Sequence, residues 1–263
     1  MMHRIALAIG IAGTVVFGTS GDGWSQGKPE VVGFSVAKKD SGNEYGQSYI
    51  PGTKAGLQIY IRVSLPKNTI LKVDGEKTSL KVKDSSDKEL AADEGSDVSF
   101  FASIADDKHS AVLPVQCTDL PTAGATSLTV SGEATLNCGA DAKSETVNVT
   151  LSVGDELKLG PVTAKVTQIA DGFDADTKRL ELESKDSFDQ LESLVFLDTK
   201  GKEIETSASG GGSFGFGGDM TYSKSYQFKG NPADIAKAKI SYFQKIDAVK
   251  VPVEIKFGMD LGK

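Results

Sequence analysis

The second half of this 263-residue chain repeats short stretches of the first half, loosely but in the same order. Residues 82–90 read VKDSSDKEL and residues 196–204 read FLDTKGKEI, so both carry the pattern Asp-x-x-x-Lys-Glu-aliphatic. Residues 147–154 read VNVTLSVG, and residues 251–258 read VPVEIKFG. An ordered repeat of this kind predicts two copies of one structural module, because the same backbone geometry then demands similar residues twice.

Alternation of apolar and polar residues indicates β-strands along most of the chain. Positions 57, 59, 61 and 63 form one apolar face, and the odd positions from 249 to 257 form another. Pro252 lies in the second run and predicts a free edge or a bulge there, because proline has no amide to donate to a strand ladder. With turn signals every 8–12 residues or so, the pattern predicts an all-β chain of two tandem immunoglobulin-like β-sandwich domains.

The start of the chain has the features of a secretory signal peptide. A short basic segment precedes an uncharged apolar run of about a dozen residues and then a stretch of small residues. We expect cleavage after Ser25, with cleavage after Ser20 as the alternative. The expected organisation is therefore a signal peptide at 1–25, a first β-sandwich at 26–154 and a second at 155–263. Such a protein is exported, to the periplasm, the cell surface or the extracellular space.

Charge and hydropathy limit the classes of partner that this chain is expected to bind. The formal net charge is −7, which does not suit nucleic acid, since binding to nucleic acid depends on neutralising phosphates. No apolar run after the signal peptide reaches the roughly 20 residues that span a bilayer, so we expect no transmembrane segment in the mature chain. The expected partner is an unidentified protein or glycan.

The paired turns at Asp84 and Asp198, together with the alternating strand that ends each copy, resemble exported bacterial proteins with tandem immunoglobulin-like or fibronectin-like domains. The resemblance covers the whole mature chain. It implies adhesion, binding or scaffolding rather than catalysis. It assigns no role to any individual residue.

The chain has two cysteines, Cys117 and Cys138. In an exported protein an even pair predicts a disulfide, here closing a loop of about 20 residues and contributing roughly 3 kcal/mol. The alternative is a redox pair or a thiol nucleophile. That alternative needs a Cys-x-x-Cys spacing or a nearby base, and neither is visible in the sequence.

Three carboxylates within six residues, Asp171, Asp174 and Asp176, form the best metal candidate. Calcium takes six to eight or so oxygen ligands, and carboxylates are among those it prefers. The pattern of an EF-hand loop is not met. The alternative is a solvated hairpin turn, in which Asp and Gly are favoured for backbone reasons. No other cofactor is expected.

Residues 209–218 read SGGGSFGFGG and carry Phe214 and Phe216. One hypothesis is a partner-binding loop, because exposed aromatic side chains on a mobile loop are unfavourable unless they are used. The alternatives are a flexible connection that bears the two phenylalanines, and core-facing strand positions, since Phe214 aligns with Phe100 of the first copy.

No constellation of reactive residues accompanies the repeat. His109 is the one histidine after the signal region, and Tyr45, Tyr49 and Tyr60 form a modest aromatic group without tryptophan. We therefore expect a non-catalytic exported protein that acts as a binding or scaffold module. The alternative is a carboxylate-dependent hydrolase acting on an extracellular polymer.

Overall fold

The computed structural model describes residues 28–37, 56–93, 98, 102–174, 176–216 and 219–259. The expected signal peptide, with both of its expected cleavage sites, lies outside these residues. The described chain is all-β and forms antiparallel sheets, as predicted. Its strands are β1 (Glu30–Ala37), β2 (Gly56–Ser64), β3 (Thr69–Val73), β4 (Ser79–Asp84), β5 (Glu89–Leu90), β6 (Ser103–Ile104), β7 (Ser110–Cys117), β8 (Ser127–Asn148), β9 (Glu156–Leu159), β10 (Val162–Asp171), β11 (Thr177–Ser184), β12 (Leu191–Asp198), β13 (Thr206–Phe216), β14 (Asp219–Lys229) and β15 (Ile235–Gly258). Short 3-10 helices occupy Phe188–Gln190 and Pro232–Asp234.

Three sheets contain these strands. One has the order β1-β2-β7-β6, the second β13-β14-β11-β10-β9, and the third β12-β15-β8-β4-β5, with β3 also pairing with β8. The first two sheets share a neighbour order, since β1-β2-β7-β6 corresponds to β10-β11-β14-β13. Their corresponding pairs even share a register shift, between Val31 and Gly33 in β1 and between Val166 and Gln168 in β10. The sequence repeat therefore coincides with a repeat of strand order.

The described residues divide into two compact units. Unit 1 holds those up to Cys138 together with those from Asp247 onward, and unit 2 holds Gly139–Ile246. The chain passes from unit 1 to unit 2 within β8 and returns within β15. This division differs from the consecutive ranges 26–154 and 155–263 that the sequence suggested, because the end of the last strand, from Asp247 onward, belongs to the first unit.

Unit 1 buries one hydrophobic core. Strand β2 supplies the predicted apolar face, made of Leu57, Ile59, Ile61 and Val63. The end of β15 supplies a second alternating face, made of Val251, Val253, Ile255 and Phe257. The ring of Phe257 packs against that of Phe34, with ring centroids 5.6 Å apart. Period-two alternation thus becomes burial of one side of each strand.

Unit 2 buries a separate core. Its centre contains Leu180 and Leu182 of β11 and the rings of Phe196 and Phe228, which meet edge to face with centroids 5.4 Å apart. The chain around the end of β8 packs against it, through Leu151 and the partly buried Val147 and Val149. Each core therefore includes residues at the end of a strand that begins in the other unit. The strand is β15 for unit 1 and β8 for unit 2.

Pro252 lies in β15, as the edge or bulge prediction required. Strand β12 pairs with β15 from Leu191↔Tyr242 to Asp198↔Ile235, so Pro252 lies in the part of β15 that has no β12 partner. The missing amide of proline therefore leaves no β12 carbonyl unpaired.

The repeated Asp-x-x-x-Lys-Glu motif is a turn with the same hydrogen bonds in both copies. The amides of Asp84 and Asp198 donate to the carbonyls of Lys88 and Lys202, at 3.0 and 2.9 Å. Each Asp side chain then accepts two backbone amides, from residues two and four positions later, at 2.8 to 3.2 Å. The motif is repeated because an aspartate side chain holds the turn closed in both places.

A left-handed residue occupies the same place in both turns. It is Asp87, with φ 64°, in the first turn and Gly201, with φ 80°, in the second. Glycine adopts this conformation without steric conflict, while an aspartate tolerates it better than most residues. A Cβ added at Gly201 would meet nothing within 4 Å, so only the backbone conformation restricts this position.

Asp84 has one further donor that Asp198 lacks. Its carboxylate accepts the amide of Thr122 at 2.8 Å, and its side chain is buried. Hydrogen bonds from the hydroxyl and amide of Thr122, reinforced by the amides of Ser86 and Lys88, lower the pKa of Asp84 to about 2. This aspartate thus fastens the turn to the segment that precedes β8.

We predict that Gly201→Ala destabilises the protein by about 1 kcal/mol, because an L-residue is forced into the left-handed region. Asp87→Gly at the matching position should change stability far less, because the aspartate already adopts that conformation. Urea denaturation of both variants beside the wild type measures this. Equal losses for the two variants would contradict the backbone explanation.

We predict that Asp84→Asn removes part of the acid sensitivity of folding. A carboxyl whose pKa is lowered in the folded state stabilises it above the unfolded pKa of about 3.9, and this stabilisation is lost as pH falls through about 2. The difference in urea midpoint between wild type and Asp84→Asn should therefore shrink from about pH 5 to about pH 2. Asp198→Asn is the matched control, and it should show a smaller change because it lacks the third donor. An unchanged difference for Asp84→Asn would contradict the prediction.

Candidate binding hairpin

The segment with the two phenylalanines forms one arm of a β-hairpin. Strand β13 pairs with β14 from Thr206↔Phe228 to Phe216↔Asp219, with one register shift between Ala208 and Gly210. For residues 209–216, the described part of the glycine-rich segment, the expectation of a loop or flexible connection is therefore wrong and that of strand positions is confirmed. Phe216 ends the strand, and its side chain lies outside the described residues.

Phe214 points away from the core. Its side chain is 71 % exposed, so the expectation of a core-facing phenylalanine is wrong. Its alignment partner, Phe100, lies outside the described residues. The exposed aromatic side chain that the binding hypothesis required is therefore present, on a strand instead of a loop.

The root of the hairpin is fixed in the core of unit 2. Tyr226 and Phe228 of β14 are buried there, opposite Ala208 and Thr206 of β13. Desolvation by this burial raises the pKa of Tyr226 well above its usual range. Small residues on β13 thus lie beside large buried rings on β14, and the hairpin is held at one end by packing.

The tip of the hairpin extends past its neighbour. Strand β11 pairs with β14 only as far as Ser184↔Tyr222, so residues 219–221 pair with β13 alone. Lys185 reaches across to this tip, with its Nζ 2.7 Å from the Asp219 carboxylate and 3.1 Å from the Thr221 hydroxyl. Gly215 is required there, since a Cβ would collide with the carbonyl oxygen of Asp219.

Strand β13 is also the outermost strand of its sheet. Its eleven residues, TSASGGGSFGF, contain no charge and no proline, and residues 207–214 are exposed. The sequence does not predict that β13 lies at an edge, because an alternating or glycine-rich strand can have the same sequence at the edge of a sheet and in its centre. The absence of charge over eleven residues was the signal that could have drawn attention to it.

The predicted calcium residues line one cleft of unit 2. Asp171, Asp174 and Asp176 lie around a volume of about 750 Å³ that also borders Lys178 and Asn231. Yet no three His, Cys, Asp or Glu side chains among the described residues come together as a metal site. The Asp174 carboxylate accepts a hydrogen bond from the side-chain amide of Gln227 at 2.9 Å. Asp176 adopts the left-handed conformation, with φ 63°.

The Asp171 carboxylate forms an ion pair with a lysine side chain. The Nζ of Lys178 contacts its carboxylate, and this hydrogen bond lowers the pKa of Asp171. A carboxyl that serves as a general acid needs the opposite shift. Asp171 therefore does not suit the role of a general acid.

Two other residues considered from the sequence have ordinary structural surroundings. The Nδ1 of His109 lies 2.8 Å from the carbonyl oxygen of Asn68, which can only accept, so Nδ1 carries the proton. Tyr60 lies on β2 opposite Pro114. Tyr45 and Tyr49 lie outside the described residues.

The predicted disulfide is absent. Cys117 and Cys138 are free, buried thiols in the core of unit 1. Cys117 ends β7 opposite Leu57, whereas Cys138 lies on β8 in a different sheet. Burial raises the pKa of each thiol to about 11, with smaller contributions from Asp119 and Asp247. The even count and the spacing did not reveal that the two residues belong to different sheets.

We predict two titratable thiols in the denatured, unreduced protein. In the native protein their alkylation at about pH 8 should be at least about tenfold slower than after denaturation, because burial hinders access and keeps the thiols protonated. Titration with a chromogenic disulfide reagent, with and without urea, measures both values. Fewer than two titratable thiols after denaturation would contradict this prediction and would support the disulfide.

The part of the chain that the structure describes contains no helix with the length and apolar character needed to cross a membrane. In comparisons with known proteins, no family model matches this chain, and neither a curated protein nor a solved structure matches it.

Proposed function

We propose that this chain is an exported, non-catalytic binding or scaffold protein that acts in the periplasm, at the cell surface or outside the cell. Its organisation is two immunoglobulin-like sandwich repeats after a cleaved signal peptide. The matching strand orders of the two sheets and the matching aspartate turns support the immunoglobulin-like repeats. The binding surface is the hairpin β13–β14, and its partner is a protein or a glycan.

The observation that carries this proposal is the exposure of Phe214 on an uncharged edge strand. Phe173 is 80 % exposed as well, so what distinguishes Phe214, 71 % exposed, is its place on an uncharged strand at the edge of a sheet. There a partner could cover the ring and also pair with the strand. The hairpin presents this side chain on a support that is fixed by Tyr226 and Phe228. A rigid element with an exposed aromatic side chain is the usual form of an interface anchor.

We predict that Phe214→Ala abolishes capture of a partner. The full chain, expressed with residues 1–25 in a secreting host, is recovered from outside the cytoplasm and used as bait with envelope and culture-medium fractions. Retained material is identified by mass spectrometry, and sequencing of the bait's N-terminus reports signal cleavage. Phe173→Ala is the matched control, since Phe173 is 80 % exposed in the turn that follows β10.

The expected result is retention by wild type and by Phe173→Ala, with loss in Phe214→Ala at unchanged melting temperature. Equal retention by both variants would place the binding surface elsewhere. Recovery of the uncleaved chain from the cytoplasm alone would contradict export.

A further inference from the structure

Strand β13 offers an open edge for strand pairing. Along an antiparallel edge strand, alternate residues direct their amide and carbonyl groups away from the paired neighbour. Among the described strands, β14 is the one that pairs with β13. The start of the strand is near β12, where the hydroxyl of Thr206 accepts from the amide of Phe196 at 3.4 Å. From Ser207 onward the side facing away from β14, here called the β13 edge, pairs with no other strand among the described residues.

The other described edges carry features that oppose strand pairing. Strand β12 ends its sheet, and its Phe196 is already hydrogen-bonded to the amide of Ile204 and the hydroxyl of Thr206. In the segment of β15 around Pro252, the other exposed positions are charged, namely Lys250, Glu254 and Lys256. Strand β9 has four residues, two of them charged, and β5 and β6 have two residues each. Strand β1 carries the charged Glu30, while its register shift does not set it apart, since β13 has one between Ala208 and Gly210. Charges, proline, bulges and short length are the usual protections of sheet edges, and the β13 edge has neither charge nor proline over eleven residues.

The side chains of β13 favour a backbone partner over a side-chain partner. Residues 207–213 are Ser, Ala, Ser, three Gly and Ser, all exposed, so either face admits a close neighbour. An extended peptide of another protein gains its specificity from pockets that receive alternate side chains. Side chains of this size build no such pockets.

We propose that the partner of the β13 edge is a second copy of this chain, paired antiparallel through β13 about a two-fold axis. This inference rests on the proposed function, because it takes the hairpin as the binding surface and names its partner. In a two-fold pairing the same strand supplies both sides of the interface. An uncharged strand is suited to this arrangement, since like charges directly opposite each other would be destabilising.

The charge of the whole chain gives the pairing a recognisable salt dependence. Each copy carries a formal charge of −7, whereas β13 itself carries none. Bringing two copies together is therefore opposed by long-range repulsion that salt screens. The dimer should become tighter as salt is added, whereas an association driven by opposite charges would weaken.

The test is sedimentation equilibrium of the full, exported chain at low and high salt, with two variants that add the same charge. Gly210→Lys places an ammonium on the β13 edge, where a Cβ meets nothing within 4 Å. Thr146→Lys places the same charge on an exposed residue of β8. Urea denaturation confirms that both variants fold.

We expect a reversible dimer whose dissociation constant rises about tenfold or more in Gly210→Lys and changes less than about twofold in Thr146→Lys. Hydrogen exchange should slow at residues 207–215 on dimerisation. A wild type that stays monomeric up to about 0.5 mM in high salt would overturn the inference. Equal weakening by the two variants, or growth into larger species instead of a closed dimer, would overturn it as well.

The capture experiment separates this inference from the function on which it rests. If the wild type stays monomeric while Phe214→Ala still loses a captured partner, the dimer is wrong and the binding function stands. If the dimer forms through β13 but nothing else is captured, the inference stands and the wider binding role fails.

Discussion

The burial of one alternating strand end is the constraint on which the rest of unit 1 depends. Val251, Val253, Ile255 and Phe257 enter a core whose other members all come from residues up to 138, apart from Met259. The four side chains are buried to 97 % or more, so each contributes roughly 1.5–3 kcal/mol of hydrophobic transfer energy. The apolar face of β2 needs such a cover, because a sandwich is stable only when both of its inner faces are buried.

The repeat is explained by backbone demands. In both copies an aspartate accepts two amides of its own turn, and in both the fourth residue of the turn is left-handed. Where the two turns differ, with Asp87 in one and Gly201 in the other, each copy has a residue that tolerates the left-handed conformation. The surface that we propose for recognition lies outside the repeated motif, on β13, whose counterpart in strand order, β6, has two residues.

The sequence was sufficient for the strands, for the repeat and for the special position of Pro252. It was insufficient wherever the answer depended on which strand lies next to which. Alternation shows that residues 251–257 have one buried face, but it does not show which of the two cores that face enters. The cysteine pair is a related case, because an even count and a short spacing do not show which strand each thiol lies on, and both thiols are free in the core. For the hairpin, the sequence identified Phe214, but exposure at an edge is a property of the assembled sheet.

The path of β15 has a consequence for the order in which the protein can be completed. A ribosome that has made the first 246 residues has delivered most of unit 1 but none of the segment that closes its core. Unit 2, in contrast, has every described residue by that point. The half of the chain that is made first is therefore the half that finishes folding last, and it must keep an open apolar face until the final residues arrive. Under the export that we propose, such a delay would be an advantage, because a chain that crosses a membrane unfolded must not close its core beforehand.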